Sequence, residues 1–132
     1  MIVLDEQLLG RNLHIEMARW YPGAIIYVSS LRPNSVIKDE ALPTLLREQN
    51  QPTFVTINET DFWQRIPASE SYCVVCFALT DARVREIPQR LRALLEYPEF
   101  RTKAARMGKI VRVAEREIVY YTIQDRTPRR LE

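Results

Sequence analysis

Residues 2–13 read IVLDEQLLGRNL. Positions 2–4 have the character of a short buried strand, and Asp5 and Glu6 follow it without a break. Leu8, Leu9, Leu13, Met17 and Trp20 then recur at helical spacing, so a helix is expected over 6–20. Pro22 cannot continue that helix and Gly23 suits the turn after it. A strand that hands over directly to a helix opens a β-α-β unit. Here it also leaves two carboxylates where the strand stops.

The same alternation runs through the chain. AIIYVSS (24–30) reads as a second strand and residues 39–49 as a second helix, with Leu42, Leu45 and Leu46 on one side and Pro43 in its first turn. TFVTI (53–57) is a third strand, with a short helix expected in NETDFW (58–63), and YCVVCFAL (72–79) is a fourth. A helix follows over 83–96, with Pro88 near its start, and 99–107 extends it or forms another. KIVRVAE and REIVYYTIQ make two strands around a tight turn at Ala114–Arg116. The expected fold class is α/β, with a mainly parallel central sheet covered by helices on both faces and a C-terminal antiparallel hairpin at one edge. One domain is expected over 1–125, followed by a basic, mobile tail over 126–132.

Composition narrows the class. With 46% hydrophobic and 27% charged residues the chain reads as an ordinary soluble domain. No apolar run approaches the roughly 18 residues of a membrane span. No basic-then-apolar leader is visible, so a cytoplasmic location is expected. Charge is uneven: residues 1–61 carry a net −3 and residues 62–132 a net +5. Residues 101–112, RTKAARMGKIVR, hold five basic residues and no acid, a segment suited to phosphate contacts or simply to solubility. Cys73 and Cys76 lie three apart on one strand, so they point to opposite faces about 10 Å apart and read as core residues. Two Cys and the single His14 are too few for a zinc site.

Ligands of open α/β sheets bind outside the carboxyl ends of the strands, near the point where strand order reverses. Asp5 and Glu6 end the first strand, Asn58, Glu59 and Asp61 follow the third, and Asp39 and Glu40 open the second helix. Taken singly, each has a plain reading: Asp39 as a helix cap, Asp61 as the cap of the turn DFWQRI, the glutamates as solvated first-turn residues. Together, clustered carboxylates repel one another and need a compensating charge. A divalent cation with oxygen ligands, Mg²⁺ or Mn²⁺, supplies it.

VLDEQL (3–8), IKDEALPTLL (37–46) and TFVTINETDFW (53–63) resemble the motifs of PIN-like nucleases, in particular a small bacterial group related to the Mut7-C ribonuclease domain. The resemblance covers about the first 80 residues and includes the apolar strand YCVVCFAL. It implies a three-layer α/β/α PIN-like fold and a Mg²⁺- or Mn²⁺-dependent endoribonuclease acting on RNA. It further implies Asp5, Asp39 and Asp61 as catalytic metal ligands, with Glu59 where the group commonly has Asp. Relatives of this kind are often toxins paired with an antitoxin protein, and homodimers are common among them. TINETD carries one residue more than the group's usual spacing. Lys38, Arg65 and Arg11 are candidates for holding RNA phosphates. Two other readings fit part of the pattern: a non-catalytic binding protein with a decayed site, and a receiver-like phosphoacceptor domain using Asp5, Glu6, Asp61 and Thr80.

Overall fold

A computed structural model describes all 132 residues. Seven strands form one sheet: β1 (Ile2–Leu4), β2 (Ile25–Tyr27), β3 (Thr53–Thr56), β4 (Cys73–Ala78), β5 (Lys109–Ala114), β6 (Ile118–Thr122) and β7 (Arg129–Arg130). Their order across the sheet is β2-β1-β3-β4-β5-β6-β7. The first five are parallel, and β6 and β7 add antiparallel at one edge. The α/β class, the mainly parallel sheet and the terminal hairpin therefore stand as expected. The order reverses between β1 and β3, which makes the gap above their carboxyl ends the topological switch point.

Strand side chains alternate between two cores, as the period of two demands. Ile2, Leu4, Val55, Cys73, Val75, Phe77, Val111 and Val113 face one way, against α1 (Leu13–Ala18) and α4 (Ile87–Leu94). Val3, Phe54, Val74, Cys76 and Ile110 face the other, against α2 (Leu42–Arg47) and α3 (Glu59–Phe62). These are the three layers. Both cysteines are free and buried, one in each core. Burial pushes the Cys73 thiol up to about 12 and raises that of Cys76 as well, which favours the protonated form of both.

The helices are shorter than their hydrophobic patterns. The expected helix over 6–20 is a 3-10 turn at Glu6–Leu8 and then α1. Gly10 (φ +80°) and Asn12 (φ +58°) lie between them in the left-handed region, which breaks a right-handed helix. Residues 39–49 split into a 3-10 turn at Asp39–Ala41 and α2, with Pro43 in the first turn of α2. Residues 83–96 likewise split into a 3-10 stretch at Asp81–Glu86 and α4, with Pro88 in its first turn. In both, a proline with no N–H to donate starts the α-helix rather than interrupting it.

The C-terminal segment is not a free tail. β7 pairs with β6, Leu131 is 7% exposed and belongs to the α1/α4 core, and Leu131 N donates to Ile118 O at 2.8 Å. The guanidinium groups of Arg126 and Arg129 lie over the rings of Tyr121 and Tyr120, 5.5 and 5.8 Å from the ring centres. The sequence there is basic and turn-rich, and neither the pairing of β7 nor the burial of Leu131 can be read from composition alone.

The crossovers β3-to-β4 and β4-to-β5 step the same way along the sheet, yet α3 packs on one face and α4 on the other. The two connections therefore have opposite hands, and most such units are right-handed. One consequence is local. With α4 beside α1, residues 95–108 must wrap under the amino ends of the strands, through α5 (Lys103–Arg106), before β5 begins. Only three polar or charged residues are buried, and they sit at the two ends of the sheet. Thr56 lies at the carboxyl end of β3, Thr53 at its amino end with Arg106.

Candidate functional site

The site begins with a register. Leu4 pairs with Val55, so the next residues along, Asp5 just past β1 and Thr56 at the end of β3, stand side by side. Asp5 N still donates to Val55 O at 2.9 Å. Thr56 is fully buried, and its Oγ1 donates to Asp5 Oδ2 at 2.6 Å while accepting from Asn58 N at 2.9 Å. The amide fixes which way the hydroxyl proton points, and the hydroxyl fixes the carboxylate. One oxygen of Asp5 is held in this way, and the other receives no side-chain donor.

Asp61 is set by the start of α3. Asn58 is the cap: its Oδ1 accepts from Asp61 N at 3.1 Å, and its Nδ2 donates to Asp61 Oδ2 at 2.6 Å. The cap of this turn is therefore Asn58, not Asp61. Asp39 does not cap either. Lys38 holds that position, the turn at Asp39–Ala41 has no side-chain cap bond, and Asp39 is exposed.

Two of the three aspartates, Asp5 and Asp39, have raised carboxyls. Burial raises the Asp5 carboxyl above its ordinary range; the Thr56 hydroxyl holds it back, and Asp39 and Glu6 push it up. Asp39 is raised first by burial, then by Asp61 and Glu40. Repulsion thus links Asp5 to Asp39 and Asp39 to Asp61. A cleft of about 420 Å³ between α2 and α3 contains Asp39 and Asp61 on its wall, together with Arg47 and Arg65. Asp5 is not part of that wall.

Glu59 goes elsewhere. Its Oε2 accepts from Arg112 Nε on β5, and Arg112 Nη1 also lies 3.9 Å from Glu117 Oε1. Of the four expected ligands, Glu59 is the one whose charge is already matched. Arg11 pairs with Asp81 at 2.9 Å on the protein surface. His14 Nδ1 lies 3.1 Å from the Tyr27 hydroxyl and packs edge-on against that ring, a packing role.

All donors on this rim are oxygen atoms, the set that suits Mg²⁺ or Mn²⁺. No group of three His, Cys, Asp or Glu side chains closes into a ready cage. Mg²⁺ keeps most of its waters and takes one or two direct carboxylates, so the rim fits an open, water-rich site and not a closed one. Thr56, Arg47 and Arg112 are not singled out by sequence, and Asn58 is named only for its place after the third strand. The bonds of Thr56 and Asn58 show themselves only through the β1–β3 register and the cap of α3.

No protein-family model, curated protein or solved structure matches the chain. No helix is long and apolar enough to cross a membrane.

Proposed function

We propose that the chain is a metal-dependent ribonuclease of PIN-like type, hydrolysing RNA phosphodiester bonds at the rim formed by Asp5, Asp39 and Asp61. The observation that supports this reading is the placing of aspartates from three separate segments on one side of the sheet: Asp39 and Asp61 share a cleft wall, and Asp5, held by Thr56, follows β1 at the switch point. A bound divalent cation would neutralise carboxylates gathered in this way.

Asp5, Asp39 and Asp61 would hold Mg²⁺ or Mn²⁺, directly or through water. The bound ion would supply Lewis acidity toward a phosphoryl oxygen and a lowered pKa for water. The chain's own contribution is orientation. Thr56 fixes the Asp5 carboxylate, and Asn58 fixes that of Asp61. Arg47 and Arg65, on the wall of the same cleft and without carboxylate partners, are suited to hold flanking phosphates of the RNA strand. A toxin role with an antitoxin partner, and a homodimer, belong to the same proposal.

The test is cleavage of a mixed set of structured and single-stranded RNAs by the purified protein, with Mg²⁺, with Mn²⁺ and with chelator, beside Asp5→Asn. Metal-dependent cleavage lost in the variant supports the reading. Folded protein that binds neither ion and cleaves nothing sinks it and leaves the non-catalytic binding protein. The receiver-like reading has one observation in its favour, the 2-1-3-4-5 order of the parallel strands, shared with doubly wound sheets of that type. Against it, Asp61 sits within α3 and not at the strand end, and Lys109 opens β5 where that site wants a lysine after it.

A further inference from the structure

At the opposite end of the sheet, under the amino ends of the strands, Arg106 is 3% exposed. Its Nε donates to Thr53 Oγ1 at 3.1 Å and its Nη1 to Phe100 O at 2.9 Å and to Arg101 O at 3.4 Å. No carboxylate pairs with it. Nη2 donates to no protein group. Because no sealed side-chain nitrogen or oxygen in the protein lacks a partner, Nη2 must reach solvent. The cleft that Arg106 lines holds about 470 Å³, and its wall is Trp20, Tyr21, Pro22, Gly23, Leu95, Arg101, Lys103 and Arg106.

This wall holds three cations and no acid. Arg101 spends one nitrogen on Glu96 O, and neither it nor Lys103 meets a carboxylate. Arg106 is close enough to the Tyr21 hydroxyl to offset part of the pKa rise that burial causes there. A buried guanidinium held only by neutral oxygens keeps an uncompensated charge, and a ligand anion relieves it. Three cations exceed the single charge of a carboxylate and suit the near-dianion of a phosphate monoester. A guanidinium also offers phosphate a planar fork. Beside the cations lie two aromatic rings. The Tyr21 ring is seated over Gly23, where an added Cβ would come within 2.8 Å of Cε2. Rings next to a phosphate site are what a nucleobase stacks on.

We propose that this cleft binds a nucleotide through its phosphate monoester, with Arg106, Lys103 and Arg101 on the phosphate and Trp20 and Tyr21 against the base. The site stands apart from the acid rim, since the length of the parallel strands separates them. It also gives the unpaired part of the basic 101–112 segment a task.

The experiment is titration of the full chain, in chelator so that the acid rim stays silent, with adenosine 5′-monophosphate, adenosine and inorganic phosphate. Calorimetry gives affinity, and the two indole N–H resonances give location. Saturable binding of the monophosphate, at least tenfold tighter than adenosine and than inorganic phosphate, is expected. The Trp20 signal should move while that of Trp63, packed against the other core, stays. Arg101→Ala/Lys103→Ala, two exposed positions, should weaken binding at least tenfold with the fold intact. A 5′-phosphorylated oligoribonucleotide set against its 5′-hydroxyl twin tells whether the phosphate arrives on RNA or on a free nucleotide. No binding of any phosphorylated probe, unchanged affinity in the double variant, or equal binding of phosphate and monophosphate overturns the proposal.

Discussion

Thr56 Oγ1 stands between two groups, receiving Asn58 N–H at 2.9 Å and giving its own proton to Asp5 Oδ2 at 2.6 Å. It is fully buried, so water cannot replace it. Thr56→Val keeps the volume and removes both bonds. The change should cost about 1–2 kcal/mol of stability. If Asp5 holds a metal, the loss of its orienting partner should lower metal affinity or cleavage roughly 10–100-fold. Denaturant unfolding and metal titration read the two effects separately. A variant with full activity and lowered stability would make Thr56 a structural residue alone.

Asp5 sets up a pH dependence of opposite sign to the common acidic case. Its carboxyl is raised, chiefly by burial, so the folded protein holds that proton more tightly than the unfolded chain does. The favourable contribution is complete below the unfolded carboxyl value of about 3.9 and is lost as pH rises through the folded value. Asp39 acts in the same direction. At pH 7 without metal, Asp5→Asn should therefore raise the melting temperature by a few degrees, and near pH 3 the gain should vanish. A melting temperature that falls at pH 7 would mean that the charged carboxylate is matched by something in the fold.

The sequence made the coarse pattern legible because it depends on local signals. Apolar runs of strand length, prolines at helix starts and acids immediately after strands survive without knowledge of the partners. The leucine periodicity over 6–20 runs straight across Gly10 and Asn12, and only the positive φ of both shows where the helix breaks. The rest was hidden in pairing. Thr56 looks like one more β-branched strand residue until Leu4 is set against Val55. Glu59 looks like a ligand until β5 brings Arg112 across a separation of 53 residues.

The engagement of Glu59 separates it from the aspartates. Its partner on β5 already neutralises it, and its carboxylate is 37% exposed, so little stability rides on the pair: about 0.2–1 kcal/mol. Glu59→Gln should keep metal-dependent cleavage within about threefold of wild type, well inside one factor of ten per 1.4 kcal/mol. Asp5→Asn and Asp61→Asn should abolish it. Arg112→Ala, measured in a double-mutant cycle with Glu59→Gln, should show coupling in that same range. Loss of cleavage in Glu59→Gln equal to that in Asp5→Asn would return Glu59 to the ligand set.

Leu131 tests the anchored C-terminus. It is 7% exposed within the α1/α4 core, at the end of a two-residue strand that caps the antiparallel edge. Leu131→Ala removes most of a buried side chain beside solvent, where the gap partly fills, so about 2 kcal/mol is expected, at the low end for such changes. Truncation after residue 125 should cost more, since it also strips the ladder partner from β6 and the two guanidinium groups from Tyr120 and Tyr121. Urea unfolding should show a lower midpoint with an unchanged slope for Leu131→Ala. A midpoint equal to wild type in both variants would mean that the last seven residues leave the sheet in solution.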